Sequence, residues 1–296
     1  MSKKIYFTYE QIVERPNKRF DAPDPFQIHY HFRPARPANL CVTRNKNGSV
    51  NVSAGTIGPL TWWPYTMCLH ININDSPHSY RNLYEGGECV IALPSRNIVK
   101  ETWITALPLL EGINEMEVAD LHESPSTAVK VPGVAECPVN FECVVEFKKD
   151  YYTHAIIFVK VLGATIDEEV LSMSREEVLR YYPTYEVDDK ANRYGGSLER
   201  LGVMGEILEC PTFPYAAKHC WCKDFSIWMN DLKDENYLNA DEFNRIEKLK
   251  AEYNSLFAAE NSNQRYVELK NYFTQLPKFI LNDKWDDVHK LIKTVN

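Results

Sequence analysis

The chain has 296 residues, of which 44% are hydrophobic and 25% charged, and its formal net charge is -8. This is the composition of a globular protein that can bury a large core without disulfide bonds. The negative charge disfavours non-specific binding to nucleic acid or anionic membranes, so we expect neither partner. An anionic ligand must therefore be bound by local donors.

The distribution of apolar residues and cysteines suggests a compartment. The apolar run Ala155 to Leu162 is far shorter than the roughly 20 residues of a membrane span. Met1 to Gln11 lacks the apolar core of a signal peptide. With eight cysteines and no secretory signal, we expect a soluble, cytoplasmic protein with reduced thiols.

Short strands separated by turns dominate the pattern up to about residue 165. Asn45–Gly48 is a predicted turn, with Gly48 suited to a left-handed conformation. Short helices are predicted at Ser79–Gly86 and Asn97–Thr105. Such a pattern is typical of a barrel or a sandwich. The predicted strands are Leu40–Arg44, Ser49–Ala54, Thr66–Ile73, Glu88–Leu93, Val139–Lys148 and Ala155–Leu162.

Beyond Thr165 the pattern becomes helical. Ser174 and Glu177 form a capping-box pattern, residues 181–214 are predicted to be irregular, and helices are expected from about Asp224. Asn239 is expected to cap a helix, Pro277 to end a second one, and a third to follow. The apolar faces of the first and third are Phe243, Ile246, Leu249, Tyr253 and Leu256, and Trp285, Val288, Leu291 and Ile292. We expect this tail to pack on the barrel or on a partner subunit.

Four segments together resemble the flavin reductase-like family, with the FMN-binding split-barrel fold. They are Ala38–Thr61 (ANLCVTRNKNGSVNVSAGTIGPLT), Trp63–Ile71 (WPYTMCLHI), Asp75–Pro94 (DSPHSYRNLYEGGECVIALP) and Ala135–Cys143 (AECPVNFEC). The fourth is the most specific, and the resemblance extends from about Pro37 to Val170. It implies a mainly β, six-stranded Greek-key split β-barrel, a homodimer, and FMN near the subunit interface. The helical tail is outside it, so the expected parts are an extended segment (1–36), the barrel domain (37–215) and a C-terminal α-helical extension (216–296).

The resemblance also indicates which residues bind FMN. It implies that Ser53, Gly55 and Thr56 lie beside the flavin ring and ribityl chain, and Thr61 near the phosphate. A further group, Ser76, Ser79 and Arg81, lies where a helix is predicted to begin. Free N–H groups and the helix dipole favour phosphate binding there. Arg81 could add a bidentate contact; the alternative is a solvated turn with a capped helix.

His154 is the candidate catalytic residue. It falls where many family members have a Gly-Asp-His turn whose histidine lies near the nicotinamide site. Here the turn is Tyr152-Thr153-His154, without the Gly-Asp pair, and the alternative is a surface or hydrogen-bonding residue. The resemblance thus implies an NAD(P)H:flavin oxidoreductase with a small-molecule or protein electron acceptor. A flavoredoxin-like FMN electron carrier and a non-catalytic flavin-binding interaction protein are the alternatives.

Other motifs favour no different chemistry. Trp62 and Trp63 could stack on flavin, line a dimer contact or pack in the core. His219, Cys220 and Cys222 lack zinc-site spacing, so we predict no metal site. The sequence also has no Rossmann fingerprint, Walker motif or nucleophile elbow.

Overall fold

The structure is a computed structural model. It describes residues 36–62, 65–73, 77–85, 87–107, 109–152, 154–181, 185–187, 200–203, 206–209, 225–259 and 263–295. The predicted N-terminal segment up to residue 35, Trp63, Ser76, the boundary at residue 215 and the His219–Cys222 motif lie outside these residues.

Strands and short helices alternate up to residue 209, and the described chain from residue 225 is helical. The strands are β1 (Arg36–Arg44), β2 (Val50–Trp62), β3 (Tyr65–Asn72), β4 (Glu88–Leu93), β5 (Glu123–Ser124), β6 (Gly133–Val134), β7 (Val139–Tyr151), β8 (His154–Ile166), β9 (Tyr185–Val187), β10 (Arg200–Val203) and β11 (Glu206–Glu209). The α-helices are α1 (Pro77–Glu85), α2 (Val99–Ile104), α3 (Glu115–Ala119), α4 (Glu168–Ser172), α5 (Arg175–Tyr181), α6 (Phe225–Asp234), α7 (Ala240–Ala258), α8 (Gln264–Leu281) and α9 (Trp285–Thr294). A 3₁₀ turn, Arg96–Ile98, precedes α2.

Six antiparallel strands close into a barrel, which confirms the predicted fold class. The order is β1-β2-β3-β8-β7-β4, and pairing of β1 with β4 completes the ring. The predicted Asn45–Gly48 turn joins β1 to β2, and Gly48 has the left-handed φ of 85° that a side chain would strain. Closure leaves the barrel without long exposed edges.

The barrel wall separates two apolar cores. The inner core takes residues from all six strands, including Cys41, Ile91 and Ile157, and Leu83 of α1 also enters it. The outer core lies between the opposite face of the wall and the helices, and Leu40 is one of its strand residues. Since side chains alternate along a strand, β1 is buried on both faces.

Three free cysteines lie together in the inner core. Cys89 is directly opposite Cys143 across β4 and β7, and Cys41 is also buried. Contacts with the Cys143 and Cys41 thiols, together with burial, raise the pKa of Cys89 well above its usual value. The Cys89 thiol therefore behaves as a small apolar side chain rather than as a nucleophile.

The Ala135–Cys143 segment, the most specific match in the sequence, braces the barrel wall. Glu142 is buried and accepts hydrogen bonds from the backbone N–H of Thr127 (2.9 Å) and of Ala128. The Asn140 side chain bonds to both N and O of Val134, at 2.8 and 3.1 Å. These contacts secure the connection that crosses the outside of β7, so this motif is structural.

The C-terminal helices pack on the barrel, which is one of the two placements expected for the tail. Trp228, Tyr253 and Phe273 are fully buried and share the outer core with Leu40 and Val52. The predicted cap at Asn239 is present at the start of α7, where Asn239 accepts from Glu242 N at 2.9 Å. Among the described residues, no helix is long and apolar enough to cross a membrane.

The prediction that Pro277 ends a helix is wrong. Pro277 lies inside α8, which continues to Leu281. An interior proline costs about 3 kcal/mol. The stripe of Phe273, Leu276 and Ile280 is almost entirely buried, and each such side chain contributes about 1.5–3 kcal/mol, so packing outweighs the lost hydrogen bond.

Residues 181–214 are not wholly irregular, so that prediction is wrong in part. The short strands β9, β10 and β11 extend the sheet beyond β1, with Arg36 opposite Glu186. Strands of three or four residues are too short to give an alternating pattern that sequence inspection can detect. The sequence analysis also missed the helices α3 and α4, because five residues are too few to show the 3.6-residue period of a helix.

Candidate functional site

A gap in strand pairing opens beside the first half of β2. β1 pairs with β2 from Val50 to Thr56, whereas β3 pairs with it only from Ile57 onward. The backbone N–H of Val52 points to this open edge and donates to Glu115 Oε2 of α3 at 2.8 Å. Because hydrogen-bonding directions alternate along an antiparallel strand, the N–H and C=O of Ala54 face the same edge.

Helix α1 is fastened to this strand by buried polar side chains. Ser79 donates to Ser53 Oγ and accepts from Asn51 Nδ2, both at 2.9 Å. Asn51 and Asn82 also each donate to Thr43 Oγ1 at 3.1 Å. Since buried polar groups cost stability unless paired, this network fixes the position of α1 against β1 and β2.

The remaining faces of α1 contact two other parts of the chain. Tyr80 and Tyr84 donate to the Asp150 carboxylate near the end of β7, and burial together with Asp150 raises the pKa of Tyr84. Arg81 donates to Glu111 Oε1, and His78 Nε2 lies 3.8 Å from Glu111 Oε2. Arg81 makes this face of α1 cationic, and the face is thereby held beside one carboxylate.

The structure brings some of the predicted site residues together. Ser53 and Ser79 are in hydrogen-bond contact, and Gly55 and Thr56 follow on the same strand. Arg81 lies two residues after Ser79, but its guanidinium already contacts Glu111. Ser79 is fully buried, so its hydroxyl serves the network under the helix and the N–H groups of α1 remain the donors at that end.

Thr61 lies apart from this group. It is opposite Thr66 where β2 meets β3, and the two hydroxyls are 2.7 Å apart. Eight residues separate it from Ser53, which corresponds to roughly 25 Å along an extended strand. The structure therefore places Thr61 at a different point of β2 from the Ser53–Ser79 contact.

His154 lies at the end of β3 that leads into α1. It begins β8, where it is exposed, and it pairs with Asn72 and with Tyr151. Tyr152 has a φ of 53° and is 87% exposed, and its ring contacts that of Tyr151 with centroids 4.7 Å apart. The histidine and the cationic face of α1 thus lie at the same end of β3.

Asn39 is a site residue that the sequence analysis missed. Its side chain is fully buried, and neither amide atom has a hydrogen-bond partner. It lies opposite Gly55, where an added Cβ would be 3.8 Å from Asn39 Oδ1. A buried amide without a partner costs stability, so a polar group that paired with Asn39 would stabilise this part of the barrel. A polar residue inside an apolar strand pattern is the signal that points to it.

Metal chemistry has no support in the part of the chain that is described. There, no group of three or more His, Cys, Asp or Glu side chains could hold a metal ion.

Comparison with known proteins identifies the family. The Flavin reductase like domain family matches residues 32–184, more than half of the chain. This chain therefore belongs to that family of flavin-related oxidoreductases, in agreement with the resemblance found in the sequence.

Two uncharacterized proteins are among the relatives of this chain. An uncharacterized protein of Pyrococcus abyssi is 30% identical over 118 residues, which are 40% of this chain and 66% of that protein. YwrF of Bacillus subtilis, also uncharacterized, is 26% identical over 181 residues, 56% of this chain and 84% of that protein. The chain spans less than two thirds of the length of the archaeal relatives that it matches.

The structural neighbours show the fold. Nitrilotriacetate monooxygenase component B from Bacillus cereus superposes with a TM-score of 0.56 and 18% identity, over 71% of this chain and 100% of that one. A protein with a split barrel domain from Shewanella frigidimarina gives a TM-score of 0.51 and 15% identity, over 62% and 90%. The barrel is therefore a split barrel.

Proposed function

We propose that this chain is an FMN-binding oxidoreductase of flavin reductase type, in which a reduced nicotinamide nucleotide gives hydride to bound flavin. The electrons then pass to a small molecule or a protein. The observation that carries the proposal is the junction of β2 and α1, because the Ser53–Ser79 hydrogen bond joins an open strand edge to a helix N-terminus.

The donors at this junction fit FMN. The ring carries donors and acceptors along one edge, which match the open backbone edge at Ala54 and the unsatisfied Asn39 amide. The hydroxyls of Ser53 and Thr56 suit a ribityl chain. The phosphate suits the N-terminal turn of α1, where the N–H groups and dipole are reinforced by Arg81.

The residues of the chain bind and orient rather than react. FMN, when bound, would supply the hydride acceptor, and the hydride step needs no acid or base from the protein. The β2 edge would hold the ring in one orientation, and Gly55 leaves its face free of a side chain. His154 would position the nicotinamide nucleotide at the outer end of β3. Thr61 stays a separate prediction for the phosphate region, and Ser76 stays one at the start of α1.

The proposal includes a homodimer. The β7–β8 hairpin exposes apolar side chains, and Phe147 and Phe158 contact each other there with ring centroids 5.1 Å apart. Leu162 and Ile166 on β8 are 46% and 42% exposed, and Leu171 in the following helix is 70% exposed. A patch of this kind on a monomer is typical of a protein interaction site, and a second copy of the chain is the partner that the family resemblance implies.

Anaerobic reduction tests the function. We expect the purified protein to bind FMN and its flavin absorbance to bleach on addition of NADH or NADPH. We expect His154→Gln to slow this reduction by roughly 10- to 100-fold through misplacement of the donor, while the Kd for FMN stays unchanged. His122→Gln is the matched control, because His122 is an exposed histidine paired with Glu136 on the β5 side of the barrel.

Two results would contradict the proposal. A protein that neither contains nor takes up FMN has no flavin site. A protein that binds FMN but is reduced only by a reduced protein donor, and by neither nucleotide, is an electron carrier instead.

A further inference from the structure

The turn between α2 and α3 connects the proposed phosphate end of the site with the C-terminal helices. This turn carries Glu111, whose carboxylate contacts Arg81 and lies 3.8 Å from His78 Nε2. Both partners lie in the first turns of α1. Glu111 thus places a negative charge on the same face of α1 that is proposed to bind an anion.

Helix α7 holds this turn in place. The Tyr253 hydroxyl donates to the backbone carbonyl of Glu111 at 2.8 Å. Gly112 has a φ of 85°, and a Cβ there would lie 2.5 Å from Phe257 Cε2 and 2.8 Å from Tyr253 Oη. Tyr253 is fully buried, and burial raises its pKa, so its hydroxyl remains a donor at any ordinary pH. The position of Glu111 therefore depends on the tail.

Glu111 has two opposite effects on an anion that approaches Arg81. It orders the guanidinium, which has enough N–H donors to bond a carboxylate and a phosphate together. The Glu111 carboxylate also repels the phosphate, because only the Arg81 guanidinium would separate the two negative groups. For a dianion, this repulsion exceeds the gain from ordering a single side chain that is already partly held by its helix.

We infer that Glu111, positioned by the C-terminal helices, weakens the binding of the flavin phosphate and so makes the flavin of this chain exchangeable. This inference rests on the proposed function. Glu111 is a specificity-determining residue here, because it acts on the phosphate and not on the ring. The tail, which lies outside the part matched by the family, thereby sets how tightly a phosphorylated flavin is held.

Titration with FMN and with riboflavin tests this inference. We expect Glu111→Gln to bind FMN about three- to tenfold more tightly than the wild type, with riboflavin binding unchanged. Tyr253→Phe is expected to tighten FMN binding about two- to threefold, because it releases the Glu111 carbonyl. The double variant should bind FMN no more tightly than Glu111→Gln alone if both act through the same carboxylate.

Glu176→Gln is the control for charge. It removes a carboxylate that also pairs with an arginine, Arg180 at 2.7 Å, but on α5 rather than α1, and FMN affinity should stay the same. Unchanged or weaker FMN binding by Glu111→Gln, or an equal shift for riboflavin, overturns the inference and leaves the proposed function intact. A wild-type protein that binds neither flavin overturns both. Tyr253→Phe provides the test if Glu111→Gln does not fold.

Discussion

Replacing Arg81 with alanine is expected to weaken FMN binding by about 10- to 100-fold and to leave riboflavin binding nearly unchanged. A hydrogen bond to a charged group contributes about 1.5–3 kcal/mol, and each 1.4 kcal/mol is a factor of ten in Kd. The substitution also leaves the Glu111 carboxylate facing the phosphate without its partner. Fluorescence titration with the two flavins measures both affinities.

The control for this substitution is Lys46→Ala. Lys46 is 75% exposed and pairs with Glu85 at the opposite end of α1, so the variant loses the same charge from the same helix environment. Its FMN affinity should be within twofold of the wild type at moderate ionic strength, where exposed charges more than about 10 Å apart are screened. Two results would remove Arg81 from the phosphate site: an equal loss of FMN affinity in the two variants, or a loss of riboflavin affinity in Arg81→Ala as large as its loss of FMN affinity.

Gly112→Ala is expected to lower the free energy of unfolding by about 2–5 kcal/mol. Its φ of 85° costs an alanine about 1–2 kcal/mol. The added Cβ would also lie 2.5 Å from the Phe257 ring and 2.8 Å from the Tyr253 hydroxyl, and overpacking of this kind costs about 1–3 kcal/mol. Equilibrium unfolding in urea measures the change.

Gly48→Ala separates the two contributions. Gly48 also has a φ of 85°, but a Cβ there has nothing within 4 Å, so only the backbone strain remains. We expect a loss of about 1–2 kcal/mol. If the two alanine variants lose the same stability, the tail does not pack against the Glu111 turn as described, and the link between tail and flavin site is lost with it.

Local signals in the sequence account for much of the fold. Gly48 marks the first hairpin because it supplies a positive φ, and Asn239 with Glu242 marks the start of α7 because each caps the other's backbone. The buried stripe of α7 follows from the 3.6-residue period, and Ile246 and Tyr253 lie on it. Such features depend on residues close together in the chain, so they can be predicted without the structure.

The site depends on contacts that have no local signal. Glu111 contacts Arg81, which is 30 residues away in the sequence, and Tyr253, which is 142 residues away. Nothing in the neighbourhood of Glu111 distinguishes it from a solvated acidic residue. The separation of Thr61 from α1 is likewise hidden, because it depends on how far β2 runs before β3 turns back.

Hydrogen exchange on the FMN-saturated protein tests the location of the site most directly. We expect FMN to slow amide exchange in the first half of β2, residues 50–58, and in α1, residues 77–85, with the largest effect where Ser53 meets Ser79. Riboflavin should protect the β2 segment but not the start of α1, because it lacks the phosphate. Saturation with FMN that leaves both segments unchanged, or that protects only other parts of the chain, would contradict a flavin site at this junction.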